Sequence, residues 1–353
     1  MIFSFYSHSA KRLRELEDIA DKLKVKFNKF GSLHQCRWVA SQLRALNVLR
    51  QNYRATCEHC QTIIEEGSKD AAKASGILTR LRSPKFVTFF LFMIDFIQVI
   101  TTLSKLFQEE NVLIVDVLPQ LEVAMLQLVE MQSSPGISIS SLTKGKVFNE
   151  VDLSGEVEPE LQKLHTELVT AAIDFMDERF KPLQTPPYSD FKVFNFMQWP
   201  YDKVELVSYG MVEVNRLIEH FTPVLTEEEI ESALHEWLAF KNHVSHLRHT
   251  QLRIVYRDLL MNPPVSMKHF LPLLEIMLTL SMSTAQVERG FSHMNIIKRA
   301  DRSNLANDSL NNCMEIKING PADIKDFTAN AAIDHWFNSG GPRHLDGHAS
   351  SNS

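Results

Sequence analysis

From Ala10 to Leu23 the stretch AKRLRELEDIADKL places Leu13, Leu16, Ile19, Ala20 and Leu23 at three- and four-residue steps, with charged residues between them. That spacing predicts an amphipathic helix with one face buried. The next segment, KVKFNKF, changes period: Val25, Phe27 and Phe30 nearly alternate with Lys24, Lys26 and Lys29, which predicts a strand. A lone strand needs neighbours, so its sheet partners are expected elsewhere in this chain or in sequence it does not contain. Past GSLHQC the period becomes helical again, with Trp38, Leu43, Leu46, Leu49 and Tyr53 in step. Three further helical stretches follow between the 70s and 130.

One of these, FVTFFLFMIDFIQVI at 86–100, is apolar almost throughout. It is shorter than the roughly 20 residues that span a bilayer and contains Asp95 and Gln98, so it reads as a buried core helix. No membrane contact is expected. The segment 133–160 is rich in Ser, Gly and Glu and reads as a surface loop. Helical spacing resumes at Leu161, Leu164, Leu168 and Ile173, and the three prolines of KPLQTPPYSDF stop it. In LTEEEIESALHEW, Thr226 and Glu229 have the spacing of a capping box, and the acidic first turn suits the helix dipole. Ser283 and Gln286 mark a further start, after which Val287, Phe291, Met294 and Ile297 form an apolar stripe. Glu288, Ser292, Asn295, Arg299 and Arg302 are expected on a more polar face. A last short helix in PADIKDFTANAAIDHWFNSGG ends at Gly340 and Gly341. No repeat with a period of 20 to 50 residues is seen.

Composition narrows the picture. The chain has 353 residues, enough for a sizeable core and two structural units, and its 12 glycines and 14 prolines argue against long disordered tracts. A mainly α protein follows. The net charge of −6 excludes a general basic excess, so any nucleic-acid contact must come from a local patch. Cys36, Cys57, Cys60 and Cys313, with no secretory signal read at the start, point to a reducing compartment.

Candidate chemistry is sparse. Cys57 and Cys60 have metal-ligand spacing, but no second pair follows and both fit a helix, so no metal site is expected. His243, His246 and His249 recur every three residues and read as a solvated helix face. KRADR at 298–302 mixes charges and reads as solvated or intersubunit. Spacing alone makes Glu288 a residue that favours the start of its helix.

The run LEIMLTLSMSTAQVERGFSHMNIIKRADRSNLANDSLNNCMEIKING resembles the C-terminal region of the hAT transposase superfamily. The match falls on Ser283, Ala285, Glu288, Arg289, Phe291, Ser292, Lys298 and Arg302, and departs at Val287, where the family usually has serine. CRWVA likewise resembles the family's Arg-Trp motif, here Arg37 and Trp38. Together the order of elements resembles transposon-derived vertebrate proteins of this superfamily. The resemblance implies an RNase H-like sheet interrupted by a large helical insertion, with two Asp and one Glu holding two magnesium ions. It casts residues 1–35 as a remnant of that domain, 36–269 as the insertion and 270–340 as the dimerisation region. Residues 341–353 are expected to be a disordered tail.

Glu288 then stands where the third carboxylate would be. Both aspartates should precede the helix at 10–23, and Asp18 and Asp21 lie on that helix. The expectation is a catalytically incomplete protein, not an enzyme, with no cofactor and no small-molecule substrate. The alternative is a C-terminal fragment of an active transposase whose zinc finger and aspartates lie upstream. Weak DNA contacts would fall on Arg37, Trp38, Lys298, Arg299 and Arg302, though Trp38 reads first as a core residue at the start of the insertion. Homodimerisation is expected through Phe270, Leu271, Leu274, Met277, Phe291, Ile333, Trp336 and Phe337, which outnumber what two short helices can bury. Nuclear localisation is implied by the resemblance; the cytoplasm is the alternative.

Overall fold

The computed structural model describes residues 2–31, 38–134, 136–142, 146–155, 160–321 and 323–339. Its elements are almost entirely helical, and they fall into two compact units, Met1–Ser283 and Thr284–Ser353. The mainly α expectation is met.

The first unit opens with α1 (Ile2–Ser7) and α2 (Ala10–Lys22). Ser9 caps α2 by accepting from the Arg12 N–H, and Leu16 and Ala20 are the buried members of the predicted stripe. They pack with α3 (Trp38–Glu65), α4 (Ala71–Leu81) and the first half of α5 (Pro84–Leu106). Arg12 ties this corner together, paired with Asp70 at 2.6 Å and lying 4.4 Å over the Phe5 ring.

The strand expected at 24–30 does not form. Residues 25–30 run without regular structure, and at Asn28 a side chain, not a neighbouring strand, meets the backbone. Asn52 on α3 accepts from the Asn28 N–H at 3.2 Å and donates to the Asn28 carbonyl at 2.6 Å. Phe27 and Phe30 still turn inward, so the apolar alternation marked burial correctly and pairing wrongly.

Helix α5 is 23 residues long and, among the described residues, the helix long and apolar enough by composition to cross a membrane. Here it is the core element the sequence suggested, with Val87, Phe90, Leu91, Ile94 and Ile97 buried toward α3 and α4. Its other face meets α6 (Ile114–Ser133) and α7 (Glu160–Gln184) around Phe92, Leu121, Leu128 and Val169. Asp95 is accounted for by the segment expected to be a surface loop. Its carboxylate accepts from the Ser138 N–H at 2.7 Å and the Ser138 hydroxyl at 2.6 Å, docking the helical turn Ser138–Ser141. Beyond it β1 (Val147–Phe148) and β2 (Val151–Asp152) form a small antiparallel hairpin. Asn149 and Glu150 turn it with left-handed backbones (φ 46° and 62°). Phe148 and Val151 are buried, and Phe148 meets Tyr53 edge-on at 4.7 Å. This part of 133–160 is therefore docked on the core. Helix α7 also runs one turn further than expected, carrying Pro182 inside its last turn.

A third group of buried residues is aromatic. Helical turns at Tyr188–Phe194 and Phe196–Gln198 lead to α8 (Lys203–Ser208), α9 (Met211–Phe221), α10 (Glu227–Ser245), α11 (Leu252–Met261) and α12 (Leu271–Thr279). Phe194, Trp199, Trp237, Phe240, Tyr256 and Phe270 interlock at their centre, with Phe240 and Phe270 centroids 4.7 Å apart. The capping box on α10 forms as predicted: the Thr226 hydroxyl accepts from the Glu229 N–H, and the Glu229 carboxylate accepts from the Thr226 N–H at 2.7 Å. Lys241 is fully buried, its ammonium donating to the carbonyls of Leu206, Val207 and Tyr209, and burial pushes its pKa down to about 8. Gly210 joins α8 to α9 with φ 75°; a Cβ there would lie 2.9 Å from the Trp237 ring.

Candidate functional site

The second unit holds α13 (Ala285–Ile297), α14 (Asn307–Asn319) and α15 (Ala329–Ser339), with helical turns at Ala300–Arg302 and Ile324–Asp326 between them. Helix α13 begins after Thr284. The expected cap, Ser283, instead donates its hydroxyl to the Phe107 carbonyl at 2.6 Å within the first unit, which removes it from the role predicted for it.

Glu288 sits in the first turn of α13, exposed, accepting a hydrogen bond from the Thr284 hydroxyl at 3.2 Å. A carboxylate here favours the positive end of the helix dipole. Among the described residues no three His, Cys, Asp or Glu side chains gather closely enough to hold a metal ion. Two magnesium ions need several hard oxygen donors, so the pair implied by the resemblance has no matching donor set among those residues. Asp18 and Asp21 are exposed on α2, as their spacing implied.

The basic residues do not share the Glu288 face. Helix α13 ends at Ile297, and Lys298, Arg299 and Arg302 lie in the following turn. Arg299 pairs with Asp301 at 3.6 Å, both side chains exposed, a contact that contributes little. Arg37 and the side chain of Trp38 lie outside the described residues, as do the Trp336 side chain and the expected tail at 341–353.

The residues expected to dimerise divide into two groups. Phe270, Leu271, Leu274 and Met277 are buried in the aromatic core of the first unit, so they offer no surface to a second chain. Their partners, Phe194, α10 and α11, come from earlier in the chain, where the sequence pattern did not point. Phe291, Ile333 and Phe337 are exposed in the second unit, together with Val287, Ile296, Ile316, Ile318 and Phe327, which the expected set did not include. All of these lie between 48% and 71% exposed, and α14 buries no residue. The signal that would have found them is the absence of a complementary apolar stripe on α14, whose sequence NDSLNNCMEIKIN scatters its apolar positions.

Cys57 and Cys60 lie on the inner face of α3, where burial pushes their thiols up to about 12 and about 11. Nearby, the Tyr6 hydroxyl meets His59 Nδ1 at 3.1 Å, and burial lowers the His59 pKa while Glu15 opposes the shift. Both thiols thus hold their protons in the core, whereas a nucleophile or metal ligand needs the thiolate form. They have a consequence for stability. Burial also raises the Tyr6, Tyr53 and Tyr256 pKa values. All five groups hold their protons in the folded state, whereas unfolded thiols and phenols ionise near 9.0 and 10.0. Their contribution is complete below pH 9 and is lost as pH rises toward 12. Lys241, depressed to about 8, and Arg253, also lowered by burial, act in the opposite sense, but they are fewer than the buried thiols and phenols. Urea midpoints should therefore fall steeply above pH 9, and Cys57→Ala should flatten that fall; a midpoint constant to pH 11 would contradict it.

Compared with known proteins, the chain matches no family model and no solved structure.

Proposed function

We propose that this chain acts by self-association, pairing two copies through α13, α14 and α15. One observation carries the proposal: the second unit exposes Val287, Phe291, Ile296, Ile316, Ile318, Phe327, Ile333 and Phe337 while α14 buries nothing. A unit this small cannot bury those side chains on itself. Each, once covered, contributes about 1.5–3 kcal/mol, and a stable interface needs about 800 Å² from each partner. A second copy supplies an identical patch, and a two-fold axis brings the two patches face to face.

The sequence resemblance supports the same direction, since in the hAT superfamily this region dimerises. On this reading the chain is a nuclear, transposon-derived scaffold with a vestigial Glu288, only weak DNA contacts and no cleavage activity of its own. The test of pairing is whether the molar mass of the intact chain doubles with rising concentration. The test of the second part is a nicking assay: magnesium-dependent cleavage by the chain, lost in Glu288→Gln, would overturn it.

A further inference from the structure

In the first unit, far along the chain from the pairing surface, a cleft of 390 Å³ opens beside α8 and the end of α10. It lies within the range of small-ligand sites, about 300–1,000 Å³. Its polar lining is Tyr201, Lys203, Ser245, His246, Arg248 and His249, with no carboxylate among the lining residues. Asp202, next in the chain, is turned to the start of α8, where its carboxylate accepts from the Val204 and Glu205 N–H groups at 2.8 and 3.0 Å. The larger cleft between α5 and α6, by contrast, sets Lys105 against Glu109 and Asp116 and favours neither sign of ligand.

Tyr201 is the unusual member. Its side chain is 88% exposed, yet one face of the ring is held by the Arg248 guanidinium, 4.4 Å from the centroid. Arg248 is itself fixed, donating to the Trp199 carbonyl at 2.9 Å and the Pro200 carbonyl at 2.7 Å. The ring is thus anchored on one side and open on the other, so a planar partner stacks on it without first ordering it. Helix α10 ends at Ser245, and a histidine just past a helix end suits the dipole, which explains His246. It does not explain an anchored, outward-facing tyrosine beside an exposed lysine.

We propose that this cleft binds a nucleotide, the base stacking on the free face of Tyr201 and the phosphate meeting Lys203, His246 and His249. Stacking and phosphate capture are the two recurring elements of single-nucleotide recognition. The ligand chemistry is shared by a free nucleotide and by one nucleotide of a single strand, and the experiment separates them.

The experiment is isothermal titration of the intact chain with adenosine monophosphate, a single-stranded tetranucleotide and inorganic phosphate at low salt. Adenosine monophosphate is expected to bind with a Kd below about 1 mM and to weaken as salt rises. Because Tyr201 is exposed, Tyr201→Ala keeps the fold and should weaken binding about tenfold or more, while Tyr201→Phe keeps the ring and stays within about threefold. Lys203→Glu should weaken it about tenfold by reversing a phosphate contact. A tetranucleotide more than about tenfold tighter than the monophosphate assigns the site to a strand, and any smaller ratio assigns it to the free nucleotide. No binding of either, binding unaffected by Tyr201→Ala, or inorganic phosphate binding as tightly as the monophosphate would overturn the proposal.

Discussion

Leu274→Asp is expected to unfold the first unit rather than to separate two chains. Leu274 is fully buried beside Phe270 and Met277, inside the cluster that includes Trp237 and Phe240. Removing its side chain costs about 2–5 kcal/mol through lost burial and the cavity left behind. The carboxylate adds a desolvation cost of at least about 2 kcal/mol even if it takes up a proton. The sum approaches the whole stability of a typical domain, about 5–15 kcal/mol. Near-ultraviolet circular dichroism should lose the signal of the packed tryptophans, and the melting transition should fall or vanish. A folded variant with altered molar mass would restore Leu274 as an interface residue.

The second large effect lies in the other unit. Phe291→Asp and Ile316→Asp both fall on exposed side chains, 57% and 71% accessible, so neither opens a core. Truncating an anchor at the centre of an interface costs about 2–4 kcal/mol, which weakens pairing by about 30- to 1,000-fold. In a two-fold dimer each substitution occurs twice, so the loss is larger again, and a new carboxylate faces its own copy. The expected result is a monomer at micromolar concentration with an unchanged melting transition in the first unit. A variant that still pairs like the parent would place the contact elsewhere.

These two predictions mark where the sequence was legible. Periodicity identified α2, and the capping box at Thr226 and Glu229 forms as read, because both signals are local: a stripe at 3.6-residue spacing and a side chain reaching three residues on. The apolar run at 86–100 was read as a core helix, and the structure supplies the reason that Asp95 is tolerated within it. What failed depended on distant partners. KVKFNKF alternates like a strand, but the backbone of its Asn28 is met by Asn52, a residue that no period points to. The hairpin at 147–152 was hidden in a polar segment because two buried side chains, Phe148 and Val151, carry it. Phe270 to Met277 looked like surplus apolar surface because the residues covering them, Phe194 and those of α10 and α11, come from earlier in the chain.

At the candidate site the same division holds. The first-turn position of Glu288 was readable from its spacing, whereas the end of α13 at Ile297, which takes Arg299 and Arg302 off its face, was not. Neither Gly nor Pro marks that end; Lys298 closes it with a bond from its N–H to the Met294 carbonyl. The exposed patch on α13, α14 and α15 was legible only in part, because exposure depends on what other elements leave uncovered.

Sedimentation equilibrium of the intact chain across a concentration series from about 0.1 to 50 μM, spanning the affinities of ordinary homodimers, addresses self-association most directly. Pairing through the second unit predicts a mass that rises from 40.5 kDa toward twice that value and stays at 40.5 kDa when Phe291 and Ile316 are both aspartate. A parent chain that remains at 40.5 kDa throughout would contradict it.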